Sequence, residues 1–266
     1  MSGGRSITAT EPDVIVGVPI CRRTSFILDR FLANQREIQT AYLGCRLVLA
    51  TDEPDFVEEL REQINLHSVR GDVIVYETIR PGYARSRFWA VACGREALRQ
   101  YAISSQGEYF LSLDSDMVYA PSVIGTMKDK MKCHDVANSG YSMKWGAWGF
   151  GAGCTMIRRE TLRRIRFRCY EFRNGQAIPE DAVLDMDLTA CGARVYKGIF
   201  VSARHYRDSQ HYKSIEPQPM GWFRAMTNNQ LVRYLLIRMS ILCRYNVPLK
   251  FHNMLYGGPG AEWHKG

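Results

Sequence analysis

Between residues 13 and 114 short apolar runs alternate with amphipathic segments, and few architectures accept that pattern. The runs are DVIVGVP (13–19), RLVLATD (46–52), DVIVYE (72–77) and EYFLSLD (108–114). Each is rich in Val, Ile or Leu, shorter than a free-standing helix, and flanked by Pro, Asp or Glu, so each reads as a buried strand. The intervening segments read as helices. Thr24 offers an N-cap before Ile27, Leu28, Phe31 and Leu32; DFVEELREQI (55–64) follows; Arg85 to Tyr101 turns Trp89, Ala92, Cys93 and Leu98 inward. Strand–helix alternation predicts an α/β fold with a mostly parallel central sheet and helices on both faces. Ligands of such sheets sit beyond the carboxyl ends of the strands. Pro19 to Arg22, Asp52 and Asp114 to Asp116 are therefore expected in one cleft.

The second half is less regular. A Gly/Trp-rich stretch, WGAWGFGAG (145–153), leads into a strand, CTMIRR (154–159). A helix is expected from Glu180 to Cys191 and a strand near RVYKGIFV (194–201). Residues 206–221 are polar, hold Pro217 and Pro219, and read as a mobile loop. The last apolar segment, 230–247, carries Leu231, Tyr234, Leu235, Met239 and Leu242 at helical spacing, interrupted by Arg233, Arg238 and Arg244. It reads either as a core-docking helix or as a membrane-surface helix. The division that follows is a flexible leader (1–12), a catalytic domain (13–205) and a mobile loop with a basic C-terminal helical region (206–266).

Composition narrows the setting. A chain of 266 residues, 46% hydrophobic and 23% charged, buries a sizeable core. Eight cysteines occur without a CxxC pair or a zinc spacing, which favours free thiols in a reducing compartment. The leader lacks an apolar signal core and no stretch of about 18 apolar residues is present, so the expected location is cytoplasmic, with peripheral membrane contact as the option the last segment leaves open. Net charge is +8, and from Ala203 onward nine Lys/Arg face three acids. That tail suits an anionic partner or a solvated basic surface. No nucleic-acid motif accompanies it.

Asp114-Ser115-Asp116 is the leading chemical signal, because two carboxylates where a strand runs out into a turn can hold a hard divalent cation, Mn2+ or Mg2+. A second such tripeptide, Asp185-Met186-Asp187, falls in a predicted helix, where residues two apart point to different sides. Asp181 lies at a helix start after Pro179, where the helix dipole is expected to lower its pKa. Asp185, one turn on, is a reserve base. Trp145 and Trp148 suit an aromatic shelf for a sugar ring or core packing, and Gly149, Gly151 and Gly153 permit close backbone approach to a ligand or a kinked strand.

The order of these segments resembles the family-2-like glycosyltransferases with the GT-A fold. GYARSRFWAVACGREAL, GEYFLSLDSDMV, GFGAGCTMIRRETL, IPEDAVLDMDLTACGARVY and VSARH occur in that sequence. In the family an A-R-N segment precedes the aspartate motif; a glycine-rich strand with a basic turn, a Glu-Asp pair, a glycine twelve residues on and a histidine follow. The resemblance covers residues 13–205 and implies a Rossmann-like three-layer sandwich, with a nucleotide-binding half (13–118) and an acceptor half (119–205). It implies metal-dependent transfer of a sugar from a UDP- or GDP-linked donor to an acceptor that is a glycan, a lipid, a protein or a small metabolite. Asp114 and Asp116 match the metal and diphosphate motif, with Ser115 between them. Pro19, Ile20 and Cys21 match the strand end that packs on the base. Asp52 matches the acid that contacts the base, and Arg85 the arginine near the nucleotide. Asp181 or Glu180 matches the catalytic base, and His205 a metal-site histidine, with His211 as alternative. Trp145, Trp148 and Gly151 are the acceptor-side candidates. Ser86 replaces the family's asparagine, and the usual polar pair after Pro19 is absent, which leaves the nucleotide open. A base at Glu180-Asp181 favours inversion over retention. A sugar nucleotidyltransferase is the competing enzyme class, but VGVPICRRTS lacks the glycine-rich loop it needs.

Overall fold

The computed structural model describes residues 11–140, 150–173, 175, 177–220, 228, 229, 231, 232, 235 and 239. Seven strands form the central sheet: β1 (Val14–Pro19), β2 (Cys45–Thr51), β3 (Gly71–Val75), β4 (Tyr109–Leu113), β6 (Val136–Ser139), β7 (Cys154–Arg158) and β10 (Val195–Gly198). Their order is β10-β6-β7-β4-β1-β2-β3. β1 runs parallel to β2 and β4, β2 to β3 and β6 to β10; β7 is antiparallel to both its neighbours. The four runs read from the sequence are thus adjacent strands with their carboxyl ends at one edge.

Alternation along β1 sorts its side chains into two cores. Val14, Val16 and Val18 pack on one face with Phe31 and Leu32 of α1 (Leu28–Ala41), Leu60 of α2 (Val57–Leu66) and Met127 of α4 (Val123–Met131). Ile15 faces the other way, toward Leu98 of α3 (Phe88–Ser104), Leu162 of α5 (Arg159–Leu162) and Leu184 of α6 (Glu180–Ala190). Gly17 shares that second face, and a Cβ there would run into the Phe110 ring. Helices cover both faces of the sheet, giving the expected three layers.

Smaller sheets carry the rim. β5 (Met117–Tyr119) pairs with β11 (Ala203–Tyr206), which pairs with β12 (Tyr212–Ile215); β8 (Tyr170–Glu171) pairs with β9 (Ala177–Ile178). Several local expectations change. Thr24 does not cap α1: it lies within a 3-10 turn, Arg22–Ile27, and its hydroxyl donates to the Cys21 carbonyl at 2.9 Å. α3 starts at Phe88 rather than Arg85, and β12 occupies part of the 206–221 segment expected as a loop. The short β5 and β6, and α4, had no periodic signature long enough to read. Most of the 230–247 segment lies outside the described residues, and among the described residues no helix is long and apolar enough to cross a membrane.

The glycine twelve residues after Glu180 has a local cause. Gly192 has φ 74°. The Gly192 N–H donates to the Thr189 carbonyl and the Ala193 N–H to the Leu188 carbonyl, so α6 ends in a Schellman turn that favours glycine. Gly192→Ala is expected to lower stability by about 1 kcal/mol, roughly 2–4 °C in Tm, with ligand binding unchanged, as thermal denaturation will show.

Candidate active site

The carboxyl edge of the sheet opens into a cleft of about 570 Å³. Pro19, Ile20 and Cys21 line it where β1 ends, Asp52 where β2 ends, and Asp114-Ser115-Asp116 where β4 turns into β5. Glu180 and Asp181 enter from the first turn of α6, His205 from β11, and Gly151 from the segment before β7. Residues far apart in the chain thus meet at one edge, as strand order predicts. Trp145 and Trp148 lie outside the described residues.

The aspartate turn is clamped from several sides. The Asp114 N–H donates to the Gly153 carbonyl at 3.1 Å, and the Tyr119 hydroxyl donates to the same carbonyl at 2.5 Å. Buried Asn34 exchanges two hydrogen bonds with the Tyr119 backbone, at 2.7 and 2.8 Å. The Ser115 hydroxyl donates to Thr24 Oγ1 at 3.1 Å, tying the turn to the end of β1. The Tyr206 N–H donates to the Asp116 carbonyl at 2.9 Å, which sets β11 beside the turn. His205 Nε2 consequently lies 3.3 Å from Asp116 Oδ2, and that hydrogen bond holds the imidazole above its ordinary pKa.

Arg95 is the residue that sequence reading passed over. Its buried guanidinium reaches Asp114 Oδ1 at 2.5 Å and Glu180 Oε1 at 2.6 Å, joining the two halves of the cleft. The signal was present: on α3 the buried positions Ala92, Arg95, Leu98 and Ala102 form one helical stripe, and an arginine on an apolar stripe needs carboxylate partners. Tyr76 and Arg87 also line the cleft. Arg85 does not. Its backbone N–H and that of Ser86 both donate to Glu171, each at 2.8 Å, and its side chain donates to the carbonyls of Gly82 and Ala84. Its side chain lines an adjoining pocket with Tyr83, Glu171 and Arg173. The A-R segment is therefore an anchor for the start of α3, and Arg23, Arg87 and Arg95 supply the positive charge in the cleft.

The acids of α6 divide by partner. Asp187 makes a buried two-pronged ion pair with Arg168, at 2.7 and 2.8 Å. Asp185 is buried with Lys197 Nζ at 3.5 Å and does not line the cleft, so it is no reserve base. Glu180 faces Arg95, and burial pushes its carboxyl up although Arg95 pulls the other way. Asp181 opens on the cleft, and its Oδ1 accepts the Ala182 N–H at 2.7 Å. The expected lowering of its pKa is overturned: burial and the neighbouring Glu180 push it up to about 7, outweighing the helix terminus.

One side of the cleft offers two candidate metal ligands. Asp116 Oδ2 and His205 Nε2 are close enough to share an ion, whereas Asp114 Oδ1 is engaged by Arg95. Among the described residues no group of three His, Cys, Asp or Glu side chains could hold a metal alone. His211 lies farther out, 3.0 Å from Asp208.

Solved structures share this architecture. A mannosyltransferase from Pyrobaculum calidifontis in complex with GDP-Man and Mn2+ matches at TM-score 0.54 and 16% identity, over 92% of this chain and 68% of that one. Glucosyl-3-phosphoglycerate synthase from Mycobacterium tuberculosis, in complex with phosphoglyceric acid, matches at 0.50 and 12%, over 89% and 81%. The chain has the GT-A fold. S. aureus TarS 1-349 in complex with UDP also matches, at 0.50 and 13%, over 92% and 69%. No protein-family model matches the sequence, and no curated protein does. Within the GT-A frame, the aspartate turn, Arg95 and the α6 terminus face one another across the cleft.

Proposed function

We propose that this chain transfers a sugar from a nucleotide-diphosphate donor to an acceptor hydroxyl, with Asp181 as the base. The observation that carries this reading is the shared cleft: Asp181, the aspartate turn and the ends of β1 and β2 line it together. The base and ribose fit the Pro19–Cys21 and Asp52 end, beside Tyr76. The diphosphate fits between the aspartate turn and His205, where Asp116 and His205 would hold Mn2+ or Mg2+. Such a cation supplies positive charge to a leaving diphosphate. Arg95 keeps Asp114 in place at the edge of that site and holds Glu180 away from the acceptor. Glu180 is therefore a positioning residue.

Asp181 is half-buried, raised toward neutrality and unpaired with a cation in its own turn, which suits proton abstraction from an incoming hydroxyl. Its place opposite the aspartate turn favours inversion. Two of the structural neighbours were solved with GDP-Man and with UDP, which supports a GDP- or UDP-linked donor.

Thermal shift with UDP- and GDP-sugars, with and without Mn2+, tests the reading. One nucleotide class is expected to stabilise the chain, by about 2.7 kcal/mol at a hundredfold excess over Kd. Asp116→Ala is expected to remove the Mn2+-dependent part of that shift. Stabilisation by nucleotides that ignores Mn2+ in both proteins removes the metal from this account, and no stabilisation by any nucleotide sugar removes the donor. Product analysis separates the competing enzyme class: release of nucleoside diphosphate marks glycosyl transfer, release of free diphosphate nucleotidyl transfer.

A further inference from the structure

Beyond the Asp116–His205 pair lies a second open cavity of about 830 Å³. Its walls are the 3-10 turn after β1 and the β11–β12 hairpin. Three cationic side chains line it: Arg23 from the 3-10 turn, Arg207 from the hairpin, and Lys213, which stands opposite His205 in the ladder.

The acids there are already engaged. Asp116 faces His205. Asp208 Oδ1 accepts the N–H groups of Gln210 and His211, at 2.9 and 2.8 Å, and its carboxylate also meets the His211 ring. Neighbouring arginines that point elsewhere have partners: Arg22 pairs with Glu59 at 2.7 Å, Arg30 donates to the Ser209 carbonyl at 2.7 Å, and Arg204 stacks over Tyr212. The Arg207 N–H donates to the His211 carbonyl at 2.9 Å, but the guanidiniums of Arg23 and Arg207 make no hydrogen bond or ion pair with any described residue. Among the arginines of the 3-10 turn and the hairpin, the two guanidiniums without partners are the ones that line the cavity, and Arg23 borders the main cleft as well. Guanidinium forks match phosphate oxygens in shape and charge, and a concave wall strengthens them by limiting water.

We infer that this cavity is a phosphate-binding subsite formed by Arg23, Arg207 and Lys213, next to the metal-binding wall of the cleft. The inference rests on the glycosyltransferase reading for its purpose but not for its existence. The phosphate has two possible sources: a phosphate ester on the acceptor, or the diphosphate of the donor itself.

Calorimetric titration with inorganic phosphate, with and without saturating GDP or UDP and Mn2+, tests it in the wild type and in Arg23→Ser/Arg207→Ser. Both side chains are exposed, so the double variant is expected to keep the wild-type Tm. Its phosphate affinity is expected to fall at least about tenfold. Phosphate binding that persists beside the nucleoside diphosphate identifies the acceptor as the source. Phosphate displaced by the nucleotide, with weaker nucleoside diphosphate binding in the double variant, identifies the donor. Equal phosphate affinity in the two proteins, or no binding to the wild type, overturns the subsite. Phosphate binding that depends on the two arginines in a protein that binds no nucleoside diphosphate retains the subsite and overturns the glycosyltransferase reading.

Discussion

Asp181→Asn is expected to stop sugar transfer while making the folded chain more stable above neutral pH. In the unfolded chain this carboxyl titrates near 4, and in the fold its pKa is raised to about 7. Between those values the folded state binds more protons than the unfolded state, so stability falls as pH rises through the window and the full deficit is present above about pH 7. A shift of that size sets a ceiling of about 4 kcal/mol, and the opening of Asp181 on the cleft reduces it to about 2 kcal/mol. Asparagine cannot ionise and escapes the deficit. The variant is expected to melt roughly 4–8 °C above wild type at about pH 8, with the gap closing as pH falls toward about 4. Loss of a general base lowers kcat by about 10² to 10⁴-fold. In the wild type, kcat is expected to rise with pH through about 7 and then level off, because the base works only when ionised. An active variant whose Tm matches wild type at pH 8 would contradict both halves.

The second large effect falls on Arg95. Arg95→Ala removes the cation between Asp114 and Glu180 and leaves the Glu180 carboxyl buried without it. Breaking a buried pair from one side costs about 3–5 kcal/mol, which is roughly 10 °C in Tm for a chain of this size. Nucleotide binding is expected to weaken as well, because the aspartate turn loses its tether to α3. Adding Glu180→Gln to Arg95→Ala removes the stranded charge and is expected to regain part of the stability but not the nucleotide affinity. Denaturant melts and nucleotide titrations of the single and double variants measure both terms. A double variant no more stable than Arg95→Ala shows that the loss lies elsewhere than in the Glu180 charge.

Legibility of the sequence followed the range of the interactions involved. β1 to β4 carry a short-range signal, apolar runs with turn residues at their ends, and their carboxyl ends gather Pro19, Asp52 and Asp114 by topology alone. The antiparallel entry of β7 between β4 and β6 has no such signal, because strand direction is set by the path of the intervening chain. The acids of α6 show the same boundary. Helical spacing separates Asp185 from Asp187, but only the tertiary positions of Lys197 and Arg168 explain where each one goes. The pKa of Asp181 went against the helix-terminus rule because burial beside a second carboxylate outweighed the backbone dipole. Arg85 was misplaced because an arginine before a helix reads alike whether it reaches a ligand or folds back on its own carbonyls.

Helix α6 is braced at Glu180, Asp185 and Asp187 by cations on α3, β10 and the segment before β8. A rotation of one residue about its axis, about 100°, would break all of these pairs at once. Asp181, the proposed base, is therefore held in place before any substrate arrives, and in that role little ordering entropy would remain to oppose its meeting with an acceptor. Whatever moves when substrates enter this cleft, the helix that carries the proposed base is tied to its surroundings by three ion pairs.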